Sequence, residues 1–433
     1  MIGVRRVCLN SALVITSVLI TILFCEVGLR LAGFTNPSEF KQYHRGTAAR
    51  FYFAADPVLG HDIVPNFSGD VWWLPDYIRT YGAPFPVSSN SLGCRDRPFE
   101  PEDDYTLLIG DSYTWGYVGL EETWGATLEQ LIDRRVLKCG VPGYGPRQQR
   151  QKLANVVAGA GRPRLVIVGY VMNDLLDDYL YPSRTVTDGY LVDQAVLAHP
   201  VDGGRHVRSE DTIRARMQRI RNRVQSLAGR MTALLSKYSI LYDRLEHAEA
   251  LRPLTTWIGI AEPPNPLDGI HIFRPVHEFP WLTHAWEQHL ENLRHLKSAV
   301  EELDAALLVV IFPDPRQLYH SLRPSNGNFE WEYPNQKLTE FFQREQIAFV
   351  DLLPEFRRYV SCRGRSMPTT QDDLYWANDD HPNVQGNYVA GLLIGRHVLE
   401  QSLVQVPNRS RRLSDLDQLL STTNRCRTTA SIR

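Results

Sequence analysis

The strongest constraint on the fold is an alternation of apolar runs with amphipathic segments between residues 105 and 403. The run Tyr105–Gly110 and the stretch PRLVIVGYVMND predict buried strands, and Glu121–Arg135 between them predicts an amphipathic helix. RVLKCGVPGYG predicts a strand that runs into a glycine-rich loop, and further along AALLVVIFP and IAFVDLL predict two more strands separated by helices. This alternation predicts a doubly wound (flavodoxin-like) parallel α/β sheet of about five strands with helices on both faces.

The N-terminus contains an uncharged run, Val7–Cys25, that follows Arg5 and Arg6. As a helix it would extend roughly 28 Å, which is about one hydrocarbon core. The arginines before it, with Glu26 after it, predict a transmembrane anchor with a cytoplasmic N-terminus. A cleaved signal peptide and a buried soluble helix are the alternatives, but no A-x-A cleavage site follows the run.

The remaining pattern suggests a domain plan. It comprises a cytoplasmic N-terminus (1–6), the anchor (7–25), an irregular lead-in packed on the core (35–104), the α/β domain (105–403) with a helical insertion (175–283), and a flexible basic tail (404–433). Apolar residues in the insertion recur every three or four positions between 213 and 234, which predicts an amphipathic helix. Its arginine-rich face would either contact an anionic polymer or lipid headgroups, or be solvated.

Composition narrows the classes of protein. The chain has 433 residues, 43% of them hydrophobic and 22% charged, which is typical of a globular protein. A formal net charge of −2 argues against general nucleic-acid binding. Four cysteines, Cys94, Cys139, Cys362 and Cys426, follow the anchor and would face an oxidising space where disulfides are permitted. The sequence assigns no pairing.

Polar and glycine residues follow the predicted strands at three places. Ser112 comes after Gly110-Asp111, Gly143 lies in GVPGYG, and Asn173 lies in YVMND. The carboxyl ends of parallel strands meet at one sheet edge, where active sites form. A serine there is either a nucleophile or a helix cap. A glycine N–H and an asparagine amide could both donate to a developing oxyanion, although a tight turn and an Asx turn remain the alternatives.

A histidine that could serve as general base lies near the end of the α/β domain. His381, in NDDHPN, directly precedes a predicted helix, and Asp379 and Asp380 are its neighbours. A carboxylate beside a loop histidine can orient it as a base. By contrast, Asp177 and Asp178 are interpreted as loop polarity without a role.

A metal-dependent hydrolase is the chemical alternative, because several potential ligands occur in these loops. However, no H-x-x-x-H spacing supports it, so no metal is expected. The potential ligands are Asp111, Asn173, Asp174, Asp379 and His381.

These four blocks, in this order, resemble the SGNH (GDSL-like) hydrolase family. The resemblance covers about 105–178 and 283–403, and the lead-in is similar to that of membrane-anchored bacterial members. It implies that Ser112 is the nucleophile and His381 the base that later protonates the leaving group. The oxyanion hole would be formed by the Ser112 N–H, the Gly143 N–H and the Asn173 side chain.

Two positions depart from the family pattern. The family often has its acid three residues before the histidine, where this chain has Asn378. Asp379 is therefore the first choice and Asp380 the second; a Ser–His dyad is the remaining possibility. The family often has Asn where this chain has Lys138, and we expect this change to affect support of the loop and not catalysis.

The resemblance implies a serine esterase that works through an acyl-enzyme and needs no cofactor. With the anchor, it predicts an enzyme of the bacterial inner membrane whose catalytic domain faces the periplasm or cell exterior. The expected substrate is an acyl ester of an envelope polysaccharide, glycan or lipid. The alternatives are an O-acyltransferase for an envelope polysaccharide and a non-catalytic SGNH-like binding protein.

Overall fold

The computed structural model groups the chain into two units, residues 1–47 with 201–266 and residues 48–200 with 267–433. The residues whose structure it describes are 16–17, 20–31, 51–72, 74–100, 104–187, 190–193, 239, 241, 269–274, 280–324, 328–368, 373–377 and 379–423.

The first unit contains a helix over residues 20–31. The Glu26 carboxylate accepts hydrogen bonds from Ser239 Oγ and from the Leu241 N–H, each at 3.0 Å. Among the described residues, no helix is both long and apolar enough to cross a membrane. Most of the predicted anchor at 7–25 and the predicted insertion helix at 213–234 lie outside the described residues.

The second unit is built on a five-stranded sheet in which all neighbouring strands are parallel. Its strand order is β11-β10-β7-β5-β6, which is the doubly wound, flavodoxin-like order. The predicted parallel sheet of about five strands is therefore confirmed. The strands of the unit are β1 (Phe53–Asp56), β2 (Gly60–Ile63), β3 (Ser68–Trp72), β4 (Phe85–Ser88), β5 (Thr106–Gly110), β6 (Val136–Lys138), β7 (Leu165–Tyr170), β8 (Arg184–Thr187), β9 (Tyr190–Asp193), β10 (Ala306–Ile311) and β11 (Ala348–Asp351).

Helices cover both faces of the sheet, and alternate residues of one strand serve the two faces. In β5, Leu108 packs into one core cluster while Leu107 and Ile109 pack into the other. This explains why the strands are continuous apolar runs. The helices are α1 (Pro75–Tyr81), α2 (Ser112–Trp115), α3 (Trp124–Ile132), α4 (Pro146–Ala160), α5 (Asp174–Tyr179), α6 (Pro280–Glu301), α7 (Pro315–Leu318), α8 (Tyr333–Arg344), α9 (Leu353–Cys362), α10 (Val384–Glu400) and α11 (Arg409–Thr423).

The lead-in forms two antiparallel strand pairs, β1 with β2 and β3 with β4. Its aromatic residues join a third core cluster with Trp115 and Tyr117, which lie just beyond β5. Trp115 Nε1 donates to the Tyr52 hydroxyl at 3.1 Å, and Trp72 packs against Trp115 with ring centroids 4.8 Å apart. The lead-in therefore supports the chain segment that follows β5.

The proposed insertion boundaries need correction at both ends. Residues 174–179 form α5, which continues directly from the loop after β7, and α6 begins at Pro280 instead of Thr283. Between them, β8 and β9 form an antiparallel hairpin that the helical interpretation did not anticipate.

The predicted flexible tail at 404–433 also needs correction. Residues 409–423 form α11, which packs on α10. Leu416 and Leu420 are buried in the same core cluster as the α10 side chains. Two leucines four positions apart are enough to bury one stripe of an otherwise polar helix.

Cys94 and Cys139 form a disulfide that joins the lead-in to the residue after β6. Cys362 is disulfide-bonded as well. A buried charge network lies beside the first of these bonds. Within it, the Lys138 ammonium is 2.7 Å from Glu129 and 3.4 Å from Asp96, and Arg135 lies 3.2 Å from Asp96. Lys138, the last residue of β6, thus connects Asp96 of the lead-in with Glu129 of α3.

Candidate active site

The nucleophile candidate lies at the start of α2, where β5 ends. Gly110 has φ +151°, and a β-carbon there would fall against Thr114 and 2.6 Å from the Gly169 carbonyl oxygen. A glycine is therefore required where the chain turns away from the sheet. Asp111 caps α2 by accepting from the Tyr113 N–H at 2.9 Å. Ser112 consequently begins the helix at the carboxyl edge of the sheet.

Asp111 links Ser112 to the next strand end. Ser112 Oγ donates to Asp111 Oδ2 at 3.1 Å, and Asn173 Nδ2 donates to the same oxygen at 3.2 Å. Asn173 Nδ2 also donates to Asp177 Oδ2 at 2.9 Å. Burial raises the pKa of Asp111 to about 6. The two residues predicted from separate loops thus meet at one carboxylate.

The Gly143 loop follows β6 and is held by the lead-in. His61 Nε2 donates to the Pro142 carbonyl oxygen at 2.9 Å, and the Tyr144 hydroxyl donates to the His61 carbonyl oxygen at 2.5 Å. Burial lowers the pKa of His61 to about 3, so its ring is neutral and Nε2 carries the proton. Gly143 has φ +79°, a left-handed conformation that favours glycine.

Two backbone donors are available at this edge. Within the part of the chain that the structure describes, neither the Ser112 N–H nor the Gly143 N–H donates a hydrogen bond. Such groups can stabilise an oxyanion. Asn173, by contrast, has its amide engaged by Asp111 and Asp177, so it must exchange one of these partners to donate to a substrate oxygen.

His381 lies in the loop before α10 and is bound to Asp379. His381 Nδ1 is 2.5 Å from Asp379 Oδ1, which also accepts from the His381 N–H at 2.9 Å. Asp380 Oδ1 lies farther away, 3.3 Å from Nδ1. The Asp379 side chain is 5% exposed and that of Asp380 is 76% exposed. Asp379 is therefore the carboxylate placed to orient the ring, while Asn378 lies outside the described residues.

Aromatic side chains join His381 to the nucleophile helix. The Tyr117 ring stacks on the imidazole, with centroids 3.9 Å apart and planes at 24°. The Tyr113 hydroxyl donates to the Asp380 carbonyl oxygen at 2.5 Å, and its ring lies 5.3 Å from that of His381. Since Tyr113 directly follows Ser112, the histidine loop is fixed beside the serine.

Ser112 and His381 are not hydrogen-bonded to each other in the described structure; the serine hydroxyl points to Asp111 instead. Asp111, the partner of Ser112, nevertheless interacts electrostatically with His381, so Ser112 and His381 belong to one site. Nucleophile–base hydrogen bonds are often long in ligand-free enzymes and shorten on substrate binding.

The five residues considered for a metal site do not form one ligand group. Among the described residues, the atoms close enough to share an ion belong to Asp379, Asp380 and His381. Asp174 instead accepts from Gln149 at 3.0 Å, on the α4 side of the strand end. His381 Nδ1 is itself bound to Asp379.

Asp177 and Asp178 were wrongly interpreted as loop polarity. Both lie buried in α5. Asp177 binds Asn173 and also accepts from Ser183 Oγ at 2.8 Å, while Asp178 lies 2.7 Å from His289 Nδ1. The four-residue spacing between Asn173 and Asp177 was the available sequence signal, because it places both on one helical face.

We expect an unusually alkaline pH dependence for this site. Burial alone would lower the pKa of His381, but the carboxylates of Asp379, Asp380 and Asp111 raise it to about 9. A general base must be neutral, and at pH 7 only about one ring in a hundred would be so. The kcat/KM for an acyl ester should therefore rise about tenfold per pH unit from pH 7 towards 9.

The Ser112→Ala variant supplies the control, because it reports spontaneous alkaline hydrolysis of the ester. A corrected profile that is already flat at about pH 7.5 would contradict the raised pKa.

No family profile matches the chain, and no curated protein sequence matches it. Several solved structures, however, are similar to the chain. A protein assigned to the G-D-S-L family of lipolytic proteins, from Desulfitobacterium hafniense, is 12% identical over 67% of this chain and 98% of its own, with a TM-score of 0.32. A catalytic mutant of an acetylxylan esterase from Geobacillus stearothermophilus is 11% identical over 70% and 95%, with a TM-score of 0.33.

An acetyl xylan esterase from Butyrivibrio proteoclasticus is 9% identical over 71% of this chain and 67% of its own, with a TM-score of 0.30. The similar structures thus include a protein of the family that the four sequence blocks resemble. At these identities and TM-scores, the similarities assign no activity to this chain.

Proposed function

We propose that this protein is a serine esterase that hydrolyses an acyl ester through an acyl-enzyme. The observation that carries the proposal is the pairing of His381 with the Asp379 carboxylate beside the helix that Ser112 begins. An imidazole oriented by a carboxylate is what a serine hydroxyl requires to become a nucleophile.

In this reaction Ser112 Oγ attacks the ester carbonyl and gives its proton to His381 Nε2. The imidazolium then protonates the leaving alcohol, and Asp379 stabilises the charge on the ring. Ser112 and Gly143 offer backbone N–H groups to the oxyanion, and Asn173 would add its amide after leaving Asp111 or Asp177. Water, activated by the same histidine, releases the acid.

We further propose an envelope substrate and a periplasmic or external catalytic domain. The apolar run at 7–25 with its flanking charges supports an anchor in the bacterial inner membrane. The Cys94–Cys139 disulfide and the bonded Cys362 support an oxidising compartment. An O-acylated polysaccharide, glycan or lipid would be within reach of such an enzyme.

The test of the proposed chemistry is covalent labelling of the full chain with a fluorophosphonate. Wild type is expected to label at Ser112, and Ser112→Ala is expected to remain unlabelled. Ser421→Ala, which changes a serine of α11 that bonds only within its own helix, is the matched control and should label like wild type. Failure of folded wild-type protein to label would overturn the proposal. Unlabelled wild type that is given an acyl ester as donor and transfers the acyl group to a glycan faster than to water would be an acyltransferase.

A further inference from the structure

The β8–β9 hairpin brings an arginine to the Gly143 loop. The hairpin packs against β1 and β2 of the lead-in, and its approach is fixed by Ser183, whose hydroxyl donates to Asp177 at 2.8 Å and lies 3.5 Å from the Gly143 carbonyl oxygen. Arg184 follows as the first residue of β8. Its position is therefore set by contacts to the site itself.

The Arg184 side chain lies directly against Gly143. A β-carbon at Gly143 would be 2.8 Å from Arg184 Cδ, 2.8 Å from Nη1 and 2.9 Å from Nε. The guanidinium thus occupies the space over the glycine whose N–H is a proposed oxyanion donor. A side chain at residue 143 would displace it.

The charge of Arg184 also acts on the histidine side of the site. Burial and the Asp379 carboxylate raise the pKa of Tyr117, whereas Arg184 lowers it. Tyr117 is the residue stacked on His381. The positive charge therefore acts on the ring that stacks on the base as well as lying against the oxyanion loop.

The surroundings of this cation are acidic. Asp111, Asp177, Asp379 and Asp380 all lie at the site. An anionic substrate would be repelled there unless a fixed cation received it. Arg184 has other partners in the structure, but a guanidinium carries five N–H donors and can bind one carboxylate while presenting further donors to another.

We propose that Arg184 is a specificity-determining residue that binds a carboxylate carried by the ester substrate beside the scissile carbonyl. This inference rests on the proposed esterase function. The carboxylate could belong to the alcohol, as in an O-acetylated uronic acid, or to the acyl group, as in a succinyl ester. In both cases it would pair with the guanidinium while the ester carbonyl lies at Ser112 and Gly143.

The experiment compares kcat/KM for matched neutral and carboxylate esters. One pair is the O-acetylated methyl glycosides of glucose and of glucuronic acid, the latter with its carboxylate free; the other is 4-nitrophenyl butyrate and mono-4-nitrophenyl succinate. Wild type is expected to prefer the carboxylate member of at least one pair by about 10- to 100-fold, the range of a charge-assisted bidentate contact. The pair that shows the preference identifies which side of the ester carries the charge.

Arg184→Gln should reduce that ratio to about one, and Arg184→Lys should leave it intermediate, because an ammonium keeps the charge without the planar fork. Arg344→Gln, at an exposed position of α8, should keep the wild-type ratio. A wild-type ratio near one in both pairs, or an unchanged ratio in Arg184→Gln, would overturn the inference. If no ester is hydrolysed and wild type does not label with the fluorophosphonate, the proposed function itself has failed.

Discussion

Replacing Asp379 with Asn is expected to lower kcat/KM for an acyl ester by about 10³- to 10⁴-fold, whereas Asp380→Asn should change it by less than about tenfold. The two carboxylates are adjacent in sequence but differ in geometry. The Asp379 side chain is only 5% exposed and receives both the ring Nδ1–H and the backbone N–H of His381, while Asp380 is exposed and farther from the ring. The asparagine amide at 379 would favour the tautomer with the proton on Nε2, which cannot accept from Ser112.

Steady-state kinetics of the two variants measure the difference, and fluorophosphonate labelling rates give an independent readout. Asp380→Asn is the matched control for Asp379→Asn because it makes the same carboxylate-to-amide change one residue away. It should also move the acid limb of the pH profile to lower pH, since Asp380 helps to raise the pKa of His381. An equal, large loss in Asp380→Asn would assign the orienting role to Asp380, and small losses in both variants would indicate a Ser–His dyad.

The second large effect concerns stability. Asp96→Asn is expected to reduce the free energy of unfolding by about 3–5 kcal/mol, because it leaves Arg135 and Lys138 buried without their shared carboxylate. Glu129 offsets part of this charge, since it pairs with both cations. The side chains of Asp96, Arg135 and Lys138 are each 5% exposed or less, so water compensates little.

Urea denaturation of the disulfide-intact protein measures the loss. The matched control is Asp133→Asn, which removes an exposed partner of Arg412 and should cost less than about 1 kcal/mol. The control is well placed because Asp133 has φ +53°, a conformation that asparagine also tolerates. Equal losses in the two variants would show that the buried network does not contribute as described.

The parallel sheet was predictable because its strands are buried on both faces. Leu165–Tyr170 is buried at every position, so the strand reads as one uninterrupted apolar run. The helix at 409–423 was not predictable in the same way. Its fully buried side chains are two leucines in a polar segment, and this short apolar signal does not show that the segment packs on the preceding helix, α10.

The candidate site also contains both residues that were predictable from the sequence and a residue that was not. The residues at the strand ends were predicted because topology alone brings them to one edge, and Asp379 was found because it is local to His381. Arg184 could not be predicted. It reaches Gly143 from a short hairpin with no recognisable motif, and it is brought there by the packing of that hairpin on the lead-in and by the contacts of Ser183.

The contacts of the lead-in bear on where this protein can be divided. Segments before residue 105 hold the Pro142 carbonyl through His61, support Trp115 through Tyr52, and are covalently joined to the end of β6 by Cys94. The α/β sheet is therefore not an autonomous module that begins at its first strand. A recombinant catalytic fragment, or a natural fusion of this fold to another protein, has to carry the segment from Phe51 onward to keep its active-site loops in place.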